Sequence, residues 1–135
     1  MYMKHPLTAV NVFVIALGAF LVIEGFWGFF NPVVFGIFTT NILHAFIHLL
    51  LGFTGLYVGL RNHARTFSLY VGILLTVVGL LYLIPGADEL IVRILNVNKA
   101  VAYFNIIAGI AAVLFAVLTP KRHPDHLHDL KHKHH

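Results

Sequence analysis

NILHAFIHLLLGFTGLYVGL, residues 41–60, is a run of 20 residues without Asp, Glu, Lys or Arg, and its reading decides the fold. A bilayer core about 30 Å thick needs about 20 predominantly apolar residues to cross it as a helix. Three other stretches meet the same requirement. Residues 7–30 are apolar apart from Glu24, residues 66–84 carry no charge, and residues 99–118 are apolar after Lys99. Of the 135 residues, 59% are hydrophobic and 10% charged. A soluble domain carries about 25% charged residues, and a chain this short has no interior able to hide so much apolar surface. The expected class is an all-α membrane protein, a bundle of four transmembrane helices surrounded by lipid.

The connections carry stop signals. Asn31-Pro32 ends the first span, because proline disfavours helix in the residue before it. Residues 33–40 are apolar but short, so they are expected to lie in the interface or dip into it. Residues 61–65, RNHAR, form a polar turn, and Pro85-Gly86 ends the third span. Residues 87–97 read as a short amphipathic helix on the membrane surface, with Asp88, Glu89 and Arg93 toward water. The first 118 residues are expected to form the membrane domain, and 119–135 a basic, His-rich tail. The uncharged run 6–23 is too long for the core of a signal peptide and no Ala-x-Ala site follows it, so it reads as a retained first helix.

Orientation follows from the loop cations. One side holds seven, Lys4, Arg61, Arg65, Lys121, Arg122, Lys131 and Lys133, and the other two, Arg93 and Lys99. Both termini are therefore expected in the cytoplasm, with the chain in a bacterial-type inner membrane. No nucleic-acid partner is expected.

The two halves repeat. Asn41, His48, Gly52, Gly55 and Gly59 recur 57 positions later as Asn98, Asn105, Gly109, Ala112 and Ala116, and Gly18 and Gly25 recur 54 positions later as Gly72 and Gly79. Each half crosses the membrane twice, so the copies point the same way and are related by a pseudo-two-fold axis along the membrane normal. The repeated small residues share one helix face. Small residues let helices approach closely in lipid, so Gly52, Gly55, Gly59 and Gly109 are expected packing positions, with Gly55 and Gly59 also serving contacts to other subunits or a second copy.

Ionisable groups inside a membrane are costly and mark function or pairing. Glu24 is the one acidic residue within a span, and its depth falls between those of His44 and His48. Asn105 lies as deep in the fourth span as His48 in the second, while Asn41 and Asn98 cap the outer rim. Three readings follow for this polar cluster. Glu24, His44 and His48 resemble a carboxylate and two-imidazole metal set, with His at i and i+4 projecting the same way. A single imidazole, His44 or His48, could instead be an axial ligand to haem or a chlorin. Alternatively the groups only satisfy one another as polar glue between helices. A small oligomeric carrier is a further possibility, although the inner half of the bundle offers only glycine, alanine and Thr76 as a route.

Other chemistry is thinner. There is no cysteine, which removes disulfides and thiolate chemistry, and Ser68, the single serine, lies at the opposite end of the bundle from the histidines. Intramembrane catalysis is not expected. The tail histidines, among them His123, His126 and His128, suit either a solvated segment, weak metal binding or attraction to anionic lipid.

The motif Asn41-x-x-His44-x-x-x-His48-Leu49-x-x-Gly52-x-x-Gly55-Leu56, followed by Arg61, resembles that of an uncharacterised family of bacterial four-helix membrane proteins, a domain of unknown function. The resemblance covers most of residues 10–118 and implies a fold and a membrane location, and no reaction. Asn105 stands where the resemblance implies a second His. The leading expectation is a non-enzymatic accessory or scaffolding subunit, packed against the bilayer and against other subunits or its own copies.

Overall fold

A computed structural model describes residues 8–119. It contains helices α1 (Ala9–Phe30), α2 (Ile42–Gly59), α3 (Ala64–Tyr82), α4 (Ala87–Leu95) and α5 (Lys99–Leu118), and strands β1 (Val33–Val34) and β2 (Phe38–Thr39) between α1 and α2. Four helices, α1, α2, α3 and α5, are long and apolar enough to cross a membrane. The chain is an all-α, multi-pass membrane protein. The tail beyond Thr119 lies outside the described residues, as does Lys4.

Local chemistry sets the helix ends. α1 starts two residues later than the apolar run, because Thr8 and Asn11 form a capping box: the Asn11 amide donates to Thr8 Oγ1, and Thr8 N donates to Asn11 Oδ1 at 3.3 Å. α3 starts at Ala64, two residues earlier than the sequence placed it, and ends at Tyr82, two earlier than expected. There the Leu83 and Ile84 amides turn back onto Leu80 O and Leu81 O ahead of Pro85. α4 stops at Leu95 because Asn96 adopts the left-handed conformation, φ 53°.

α1 pairs with α2, and α3 with α5, as two helical hairpins; between them α1 meets α3 and α5 and α2 meets α3, while α2 and α5 do not pack closely. The sequence repeat reappears as matched contacts. A methyl group at Gly18 would stand 2.8 Å from Gly52 O, and one at Gly72 would stand 2.7 Å from Gly109 O. Likewise Gly25 faces Ala45 O and Leu49, and Gly79 faces Ala102 O and Ile106. Where the hairpins meet, Leu17 and Leu21 pack with Val71 and Leu75, their counterparts 54 positions on.

The segment after α1 is more structured than a surface loop. β1 and β2 pair antiparallel, Val33 with Thr39 and Val34 with Phe38. Phe35 and Gly36 make the turn with φ 56° and 75°. This β-hairpin folds back along α1. Phe35 stacks on Phe20 at a centroid distance of 5.7 Å and lies tilted against Trp27 at 4.7 Å, and Phe38 meets Phe104 of α5 at 5.5 Å. Phe20 lies ten residues before the end of α1, about 15 Å along the helix. Non-helical backbone at such depth needs internal hydrogen-bond partners, and Thr40 N finds Pro32 O while Asn98 Nδ2 reaches Ile37 O.

The close glycine contacts should dominate stability. Gly52→Ala and Gly109→Ala are each expected to cost about 1–3 kcal/mol through overpacking, whereas Ile107→Ala, on an outward face, should cost far less. Reversible unfolding in mixed micelles measures this, and a neutral Gly109→Ala would contradict the packing described.

Candidate functional site

The candidate site is assembled by one hairpin. Gly25 and Gly28 bring α1 against Ala45 of α2, since side chains at either glycine would collide with Ala45 or its neighbours. That approach sets Glu24, the residue before Gly25, beside His48. His44 lies one turn earlier on the same face of α2. All three side chains are buried, Glu24 with 5%, His44 with 4% and His48 with 7% of their surface exposed.

Glu24 Oε1 lies 3.3 Å from His48 Nδ1. The pair falls short of hydrogen-bond geometry, and Oε1 is a buried oxygen with no hydrogen-bond partner. The His48 ring stands edge-on to His44, with centroids 4.3 Å apart at 66°. His44 Nδ1 is 3.0 Å from Leu95 O at the end of α4. A carbonyl only accepts, so Nδ1 carries the proton and Nε2 is left with a lone pair.

A second set of polar contacts forms the rim above this row. Asn41 Oδ1 caps His44 N at 2.8 Å, and Asn41 Nδ2 donates to Ile94 O at 2.8 Å. Asn98 Oδ1 caps Val101 N at 3.0 Å, and Asn98 Nδ2 donates to Ile37 O at 2.9 Å. Ile37 and Ile94 are themselves 57 positions apart, so each half clasps the equivalent carbonyl of the other. Thr39 Oγ1 to Asn96 O and Asn96 Nδ2 to Thr40 O, at 2.6 and 2.7 Å, complete the clasp.

The six-residue polar cluster read from the sequence therefore divides. Asn41 and Asn98 belong to the rim. Glu24, His48 and His44 form the buried row. Asn105 is buried in the other hairpin, on a helix that does not pack closely on α2, and no hydrogen bond joins it to Glu24 or either imidazole. Equal depth along two helices did not make them neighbours. Gly55 faces Gly18 and Phe67, and Gly59 faces Ile15 and Val14, so both pack within the chain.

Some polar residues were not anticipated. Asn11 Nδ2 donates to Gly59 O at 2.8 Å and Arg61 O at 3.3 Å, and Ser68 Oγ donates to Ala112 O at 2.7 Å. Both tie the helix pairs together at the end opposite the histidines. The Thr8-x-x-Asn11 spacing was the available signal for Asn11; nothing in the sequence singles out Ala112 or Leu95, since a backbone carbonyl is common to every residue.

Among the described residues, no three His, Asp or Glu side chains already stand at metal-ligand spacing. Among the described residues, grooves indent the surface at two places considered for a ligand. One of ≈280 Å³ is lined by Ile73, Thr76, Val77, Ile110, Val113 and Leu114. Another of ≈450 Å³ lies at the rim beside Gly28, Thr40, Asn41 and Asn96. Neither is lined by His44 or His48, so neither presents an imidazole to the face of a haem or chlorin.

Residues 11–118 match the family described as "Domain of unknown function (DUF4383)". No curated protein and no solved structure matches the chain.

If Glu24 and His48 act on each other, replacing one is worse than replacing both. His48→Leu leaves the carboxyl facing an apolar neighbour and should cost about 1–3 kcal/mol. The double variant Glu24→Leu/His48→Leu should recover most of that loss. A double variant that loses the sum of the two single losses in reversible unfolding would show that the two side chains are independent.

Proposed function

Since the chain belongs to the DUF4383 family, we propose that it is a small non-enzymatic membrane protein, an accessory or scaffolding subunit that packs against other membrane helices or its own copies. One observation carries this reading: four asparagines and the single serine are spent on joining the chain's own elements. Asn11, Asn41, Asn96, Asn98 and Ser68 all donate to backbone carbonyls of a different element or turn. Ser68, the single serine, has its hydroxyl committed to Ala112 O, with no base beside it to activate a nucleophile.

The outward faces are apolar and bulky. Leu50, Phe53 and Tyr57 on α2, and Ile107, Ile110 and Leu114 on α5, are exposed. Such rows suit lipid and the sides of other helices alike. With the internal glycines committed, contacts to a partner rest on these large side chains, packing by dispersion rather than by close backbone approach.

The proposed location is a bacterial-type inner membrane with both termini cytoplasmic. Arg61 on the turn and Arg65 in the first turn of α3 sit at that side, with Arg61 over the Tyr57 ring at 4.4 Å and Arg65 Nε donating to Thr119 O at 3.3 Å. The remaining cations of that side, Lys4, Lys121, Arg122, Lys131 and Lys133, fall outside the described residues.

Cross-linking in intact native membranes, followed by solubilisation in a mild detergent, should trap the chain in a discrete species heavier than one copy. Phe53→Ala/Tyr57→Ala should reduce it. A monodisperse monomer in both membranes and nanodiscs would overturn the subunit reading.

A further inference from the structure

We infer that Glu24 and His48 are two ligands of a buried site for a divalent transition-metal ion, with His44 as the third. The first support is the unpaired carboxyl oxygen. Glu24 is 95% buried, from its 5% exposure, and its Oε1 has no donor. An oxygen taken out of water without a partner is unfavourable and calls for a specific explanation.

The second support is geometric. The Oε1 to Nδ1 separation is 3.3 Å, and the two atoms do not form a hydrogen bond. Two ligand atoms each about 2.0–2.1 Å from one tetrahedral ion stand about 3.3 Å apart, and their lone pairs aim at the ion rather than at each other. The observed pair has that spacing.

His44 carries the mark of a ligating imidazole. Such a residue donates its second ring N–H to a carboxylate or backbone carbonyl, which fixes the tautomer and ring position. The Nδ1 proton directed to Leu95 O does this, and Nε2 is the free donor. The rings of His44 and His48 are 4.3 Å apart, one helical turn from each other. The three groups do not yet stand at ligand spacing, so binding draws the His44 ring inward. The remaining position goes to water. An imidazole and carboxylate set without thiolate suits Zn²⁺, Fe²⁺ or Co²⁺.

The third support is an internal control. The second hairpin repeats the same glycine contacts and the same rim bonds. At the positions equivalent to Glu24, His44 and His48 it has Val78, Val101 and Asn105. The hairpin architecture therefore forms without a carboxylate or an imidazole at these places. Polar glue does not account for having all three in one half.

The test uses the full-length chain, purified metal-free in detergent and titrated with Co²⁺. A four- or five-coordinate cobalt site gives intense visible bands, whereas hydrated cobalt on the tail histidines gives weak ones. One equivalent with intense bands is expected, displaced by Zn²⁺. Glu24→Gln and His48→Gln should each weaken it by more than about tenfold, and His44→Gln by at least about tenfold. Asn105→Leu, in the other hairpin, should leave it unchanged, and helicity of every variant is checked by circular dichroism. Absence of intense bands in the wild-type chain, or bands of equal strength in Glu24→Gln and His48→Gln, overturns the site. So does loss of the bands in Asn105→Leu, which would mean that they report the general fold.

Discussion

Everything in this molecule depends on two backbone approaches, Gly18 against Gly52 and Gly72 against Gly109. Hydrocarbon gives helices no hydrophobic reason to associate, so attraction comes from short-range packing and a few hydrogen bonds. Dispersion is appreciable only at contact. A helix pair that lets a carbonyl sit where a side chain would begin gains contact along its whole length. The same requirement explains why the repeat is strict at glycine and alanine and loose elsewhere.

Those approaches also dictate how the halves recognise each other. Each hairpin is sealed by its own glycines, so the contact between hairpins falls to larger side chains, Leu17 and Leu21 on Val71 and Leu75. At the outer end the link is polar and crossed. Asn41 reaches Ile94 O, Asn98 reaches Ile37 O, and the β-hairpin of one half leans on α5 of the other. The two connecting segments differ in form, a β-hairpin in one half and α4 in the other, yet offer their carbonyls at equivalent positions. The pseudo-two-fold thus survives in hydrogen bonding where secondary structure has diverged.

Against this symmetric frame the buried row is an asymmetry. Glu24, His44 and His48 occupy one hairpin alone, and the closing carbonyl, Leu95 O, comes from the other half. The row is joined to the rim through Asn41, which caps the His44 amide, and through α4, which holds both Asn41 and His44. A change at the row is therefore felt first at α4 and the rim, and least at the end where Asn11 and Ser68 bind.

Much of the fold was legible beforehand. Four spans, their breaks and the repeated small residues follow from local properties of the chain, because a bilayer demands a certain length of apolar helix and close packing demands small side chains on one face. Depth was legible too, since rise per residue is constant, and it rightly placed Glu24 among the histidines. Azimuth and neighbourhood were not. Asn105 matches His48 in the repeat but sits on a helix that does not pack closely on α2, and no hydrogen bond joins it to Glu24 or either imidazole. Residues 33–40 were too short and too apolar to declare a β-hairpin. What the sequence alone determined is the number of crossings, their composition and the repeat. Which polar groups share a site, and that His44 is held by a carbonyl from the opposite half, was decided only by tertiary structure, because those depend on how helices are rotated and on backbone acceptors that no side chain announces.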